Sequence, residues 1–62
     1  MKKKDIKAIA QKIAKYESII RNSTDEDEVS HAQNAILTLS GSIHSLEDME
    51  LIDEEVQAIL MQ

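Results

Sequence analysis

Apolar residues recur along this chain at alternating steps of three and four. Ile6, Ile9, Ile13, Tyr16 and Ile20 form the first such series, while Lys4, Lys7, Gln11, Lys15, Ser18 and Arg21 fall on the opposite side. This is the a/d spacing of a heptad, which lines one side of an α-helix and suits packing against another helix. It predicts a first helix over about residues 3–21. Ala10 widens the apolar side on one flank and Ile19 on the other.

Asn22-Ser23-Thr24-Asp25-Glu26-Asp27-Glu28 then reads as a helix start, because Ser23 with Glu26, or Thr24 with Asp27, has capping-box spacing. Four acids there sit at the positive end of a helix dipole, each worth ~0.3–1 kcal/mol. Capping thus accounts for the acid run without a functional role. So short a loop makes the first two helices antiparallel neighbours. The second series is Val29, Ala32, Ile36, Leu39, Ile43 and Leu46. It keeps register across Ser40-Gly41-Ser42, predicting one continuous helix over about residues 25–46. Gly41 costs that helix roughly 1 kcal/mol relative to alanine. Either another backbone approaches closely at Gly41 or the helix breaks there; the unbroken register favours continuity.

A third series, Met49, Ile52, Val56 and Ile59 with Leu60 beside them, is offset: Leu46 to Met49 is three residues where the heptad wants four. Asp53 followed by Glu54, Glu55 and Val56 resembles an N-cap with an acidic first turn. These signals predict a turn around 46–52 and a short third helix over about 53–61, with a start at Ser45 as the runner-up. The expected fold is all-α, a single domain of an antiparallel helical hairpin plus a short third helix.

Composition adds a stability problem. With 62 residues, no cysteine, and only His31 and His44 as soft metal ligands, neither disulfides nor a metal is expected to brace the core. Below roughly 70–80 residues a single core rarely supplies more than ~3–5 kcal/mol. Self-association into a bundle, a dimer first of all, is the expected remedy; unusually good packing in a monomer is the other. The absence of proline, a single glycine and a single aromatic, Tyr16, argue against a sheet. An apolar fraction of 42% in periodic positions argues against disorder. Lys2-Lys3-Lys4 resembles the basic start of a signal peptide, but Lys7 and Lys12 interrupt the apolar residues after it, and a cytoplasmic location is expected.

Charge is unevenly spread. All seven basic residues fall within the first 21, against Asp5 and Glu17 alone, so residues 1–22 carry +5, and residues 23–62 carry ten acids and no base, −10. Opposite signs on neighbouring helices choose partner and orientation, within one chain or between two. A second reading has the first helix offering Lys4, Lys7 and Arg21 to nucleic acid or an anionic membrane. Against it stand the overall pI of about 4.8 and the lack of an aromatic platform. A third takes the acidic segments as a surface for a basic partner.

Nothing assembles into a catalytic, cofactor or metal site. His31 and His44 lie thirteen residues apart on the predicted second helix, ~20 Å along its axis, too far to share an ion. Neither is placed as a base for the serines, and one glycine makes no phosphate loop. No enzyme activity and no cofactor are expected.

Outside the seams, Ser30, Asn34, Leu37, Gly41 and His44 share a second side of the second helix. Leu37 is the apolar residue that an intrachain hairpin leaves least explained. Exposed leucines are ordinary, and a contact surface around Leu37 and Gly41, for a twin chain or a different protein, is the sharper reading. Ile19 and Leu60 add apolar area beyond the seams, as do Met49, Leu51 and Met61, and adaptable methionines recur at binding surfaces. The sequence therefore reads as a non-enzymatic protein-interaction module, a homodimeric helical adaptor or regulatory subunit. The protein-binding candidates are Leu37, Gly41, Asn34, His44, Ile19 and Leu60. The alternative is an anion binder acting through Lys4, Lys7 and Arg21.

Overall fold

The first heptad series folds as its spacing dictates. A computed structural model describes residues 2–62, with Met1 outside the described residues, and its first helix, α1, spans Lys3–Asn22. Helix α2 spans Glu26–Gly41 and α3 spans Leu46–Leu60; no strand occurs among the described residues. The fold is all-α: an antiparallel α1–α2 hairpin with α3 returning along α1 in α1's own direction.

Helix α1 is the centre. It packs against both α2 and α3, which barely touch each other. Its isoleucine stripe supplies Ile6 and Ile13 to the buried core, and Ile9 packs beside them. On the flank, Ala10 and Ala14 are buried, Ala10 completely, in the same cluster as Ile52 and Val56 of α3. Two methyl-sized side chains let α3 lie close to the α1 backbone. By periodicity Ala10 only widens one stripe; in the fold it belongs to a second packing surface.

Two helix boundaries differ from the spacing-based expectation. Helix α2 stops at Gly41 instead of continuing to about 46. Its C-cap, Ser42, donates both its backbone N–H (3.3 Å) and its hydroxyl (2.7 Å) to the Leu39 carbonyl, and the Ile43 N–H donates to the Ser40 carbonyl at 3.1 Å. Ile43 is still buried, but from the turn, so the register crosses Gly41 although the helix does not. Leu46, expected to end the second seam, is 83% exposed.

Helix α3 begins at Leu46, well before the expected 53. Ser45 is its N-cap and accepts the Asp48 N–H at 3.4 Å, with Glu47 and Asp48 in the first turn. Asp53, read as a cap, is an exposed mid-helix residue. The three-residue slip from Leu46 to Met49 is simply the junction of two helices with separate phases. At the start of α2 the cap is Asp25, not Ser23 or Thr24. Its carboxylate accepts the N–H groups of Asp27 (3.0 Å) and Glu28 (3.4 Å), while Ser23 Oγ accepts the N–H of Asp25.

The resulting body is open on one side. Its radius of gyration is 11.7 Å, where a compact chain of this length has about 10.6 Å. Its extents are 34 × 26 × 16 Å. The space that α2 and α3 leave between them is a cleft lined by Glu17, Ile20, Arg21, Ile36 and Gln57.

Candidate interaction surfaces

Successive residues of an α-helix are rotated by about 100°, which places Ser30, Asn34, Leu37 and Gly41 within a sector of about 60° on α2. All four are exposed, Leu37 at 69%. A methyl group built at Gly41 meets nothing within 4 Å, and its φ is not positive. Gly41 is thus neither a close-approach point within the chain nor a left-handed turn residue. The close intrachain approach entertained for it does not occur. His44, expected to extend this surface along the helix, lies in the turn between α2 and α3 and is also exposed. Its distance from His31 therefore does not follow helical geometry.

Ile19 and Leu60 belong elsewhere. Ile19 is half-buried in a depression with Lys15, Ser18 and Glu28 at the far end of the α1–α2 hairpin. Leu60 is half-buried against the core and lines a groove with Ala14, Ser18 and Ile59. Neither shares the outward side of α2, so the six protein-binding candidates form no single patch.

Some basic and acidic side chains line the same grooves. Lys3 and Lys7 line one groove with Glu54 and Glu55, and Leu51 and Ile6 form its apolar part. Arg21 lines the open cleft beside Glu17. Lys4 is exposed. Lys7 and Arg21 thus share their grooves with carboxylates of their own chain. Lys12 and Lys15, by contrast, line a cleft with Tyr16, His31, Thr38 and Leu39 that contains no carboxylate. Heptad spacing alone gives no sign that these two lysines share a cleft.

No protein-family model, curated protein or solved structure matches this chain. No group of three His, Asp or Glu side chains able to hold a metal occurs among the described residues. No helix among them is long and apolar enough to cross a membrane.

One sequence signal emerges only once exposure is known. Residues 29–46 contain no Asp, Glu, Lys or Arg, although such residues make up 31% of the chain. The ten acids of the C-terminal two-thirds flank this stretch at 25–28 and 47–55. A buried helix would lack charge for an ordinary reason. Helix α2 has only Ala32 buried, and Ser30, His31, Gln33, Asn34, Leu37, Thr38 and Gly41 are all exposed.

Proposed function

We propose that this chain is a non-enzymatic protein-interaction module, a small helical adaptor or regulatory subunit that works as a homodimer and acts by binding another protein. The observation that carries this reading is surplus surface. The chain exposes 4793 Å², where a folded monomer of its mass exposes about 4,000 Å². The surplus, roughly 750 Å², is close to what one partner contributes to a standard protein–protein interface. Four large apolar side chains, Leu37, Leu46, Leu51 and Met61, stand in that surface. Among the described residues the buried core comprises four isoleucines, one valine and three alanines, so the core alone is thin.

Sedimentation at micromolar concentration tests the association. A species of twice 7.0 kDa supports it, and one of 7.0 kDa overturns it. Affinity capture from the native host, with wild type and Leu37→Lys side by side, tests the binding of a second protein. Binding of nucleic acid or an anionic membrane through α1 has less support, because Lys7 and Arg21 line grooves that also hold the carboxylates Glu54, Glu55 and Glu17. If neutralising Lys4, Lys7 and Arg21 abolished a steeply salt-dependent binding, that alternative would displace the first.

A further inference from the structure

We infer that the cleft between α1 and α2 binds a small organic phosphate monoester. Lys12 and Lys15 hold its anionic head, and Tyr16 and Leu39 receive its apolar part. One chain forms the whole cleft, so this site is separate from the association proposed above.

The hairpin builds the cleft from one side of each helix. On α1, Lys15 and Tyr16 follow Lys12 by three and four residues, the spacing of neighbours on a helix surface. On α2, Ala35 follows His31 by four, and Thr38 and Leu39 follow Ala35 by three and four. Antiparallel packing sets the two groups across a space of about 500 Å³, within the ~300–1,000 Å³ of ligand clefts. Tyr16, Ala35 and Leu39 are half-buried, whereas Lys12, Lys15, His31 and Thr38 are exposed. Apolar groups inside and a few polar groups at the edge are the make-up of a small-molecule site. Tyr16, the one aromatic residue of the chain, offers its ring here.

Charge names the ligand. Two ammonium groups and no carboxylate line this cleft, in a chain whose net charge is −5. The cause is the uncharged stretch 29–46, through which α2 faces Lys12 and Lys15 without an acid. Lys3, Lys7 and Arg21 instead line grooves that hold Glu54, Glu55 or Glu17. Lys15 also borders the depression that contains Glu28, which leaves Lys12 as the principal anchor. A phosphate monoester carries about −1.5 to −2 at neutral pH, which two lysines match, and lysine serves phosphate as a point charge. The Tyr16 hydroxyl and the His31 ring N–H are further donors at the cleft. Thr38 is not one, because its hydroxyl donates to the Asn34 carbonyl at 3.0 Å.

A titration followed by the amide NMR shifts of labelled protein tests this, with phenyl phosphate, inorganic phosphate and phenol as the probes. Phenyl phosphate should give saturable shifts centred on residues 12–16 and 31–39. Inorganic phosphate, which lacks the apolar part, should bind about tenfold more weakly. Lys12→Gln should weaken phenyl phosphate by about tenfold or more, the loss of one charge-assisted contact. Lys2→Gln removes the same charge from the exposed N-cap of α1 and should change binding by less than about twofold, because solvent screens so distant a charge. Both lysines are exposed, so helicity by circular dichroism should be unchanged in either variant. Absence of saturable shifts, or an equal loss in Lys2→Gln and Lys12→Gln, would overturn the site. Phenol binding as tightly as phenyl phosphate would overturn the role of charge, and inorganic phosphate binding as tightly would overturn that of the apolar walls.

Discussion

The Ser42 hydroxyl donates to the Leu39 carbonyl at 2.7 Å, and this bond helps finish α2 one residue beyond Gly41. The helix end is thus satisfied by a side chain, not by a left-handed glycine. Gly41 takes up an ordinary negative φ with open space where a Cβ would lie. Gly41→Ala should therefore stabilise the folded monomer by about 0.5 kcal/mol, through the lower entropy of the unfolded chain. Urea unfolding at high dilution checks it. A loss of about 1 kcal/mol, the size of an ordinary destabilising substitution, would mean a strain at Gly41 that its geometry does not contain.

The two later helices depend on caps of different chemistry. Asp25 accepts two N–H groups at the start of α2, and Ser45 accepts one at the start of α3. Asp25→Ala and Ser45→Ala should each lose about 1 kcal/mol, whereas Asp25→Asn and Ser45→Asp keep most of the stability. Because Asp53 is mid-helix, Asp53→Ala should change stability by less than about 0.5 kcal/mol. Had Asp53 been the cap, the ranking would be reversed.

Much of the architecture is legible in the spacing of apolar residues. The first three members of the α1 stripe, Ile6, Ile9 and Ile13, and the α3 seam of Met49, Ile52, Val56 and Ile59 pack in the core as their periodicity requires, whereas Tyr16 and Ile20 are only half-buried outside that cluster. Misread elements have physical causes. Phase continuity through Gly41 reports that Ile43 faces the core, and a turn can satisfy that as well as a helix. Asp53 and Ser45 both offer capping chemistry, and only the need of Met49 for a helical place beside the core separates them. Ala10 and Ala14 are hard to read because alanine suits any helix, and only packing shows that their smallness is used. The uncharged run of α2 is visible as letters, but it becomes informative only when those residues prove exposed. Leu37 is the reverse case: left out of every stripe, it is indeed exposed.

The alanine seat of α3 yields a sharp contrast. Ala10 is fully buried between helices, while Ala8, on the same helix, is exposed. Ala10→Leu must push α3 away and should destabilise by about 1–3 kcal/mol. Ala8→Leu should be within about 0.5 kcal/mol of wild type. Thermal unfolding of both decides whether α3 rests on the alanine side of α1.

Truncation on the other side of that contact should be worse. Ile52 is 2% exposed in the same cluster as Ala10. Ile52→Ala should remove about 2–5 kcal/mol, which is comparable to the ~3–5 kcal/mol that a core this size supplies. The variant should lose most of its helical circular dichroism at about 25 °C. Retention of a cooperative transition near the wild-type midpoint would mean that α3 contributes little to the fold.

Proposed self-association makes stability depend on concentration. When two folded chains release two unfolded ones, each tenfold rise in protein shifts the balance by about 1.4 kcal/mol per dimer. Unfolding entropy for two chains of this length is about 0.26 kcal/mol/K, so Tm should rise by about 5 °C per decade. Leu37→Lys, which charges the exposed protein-binding candidate on α2, should flatten that dependence if the candidate surface carries the association, and should leave the dilute-limit Tm unchanged, because Leu37 is exposed within its own chain. Were Tm flat for wild type over two decades, association would contribute nothing to stability. The thin core would then have to hold the fold alone, with better packing than the eight buried residues among those described suggest.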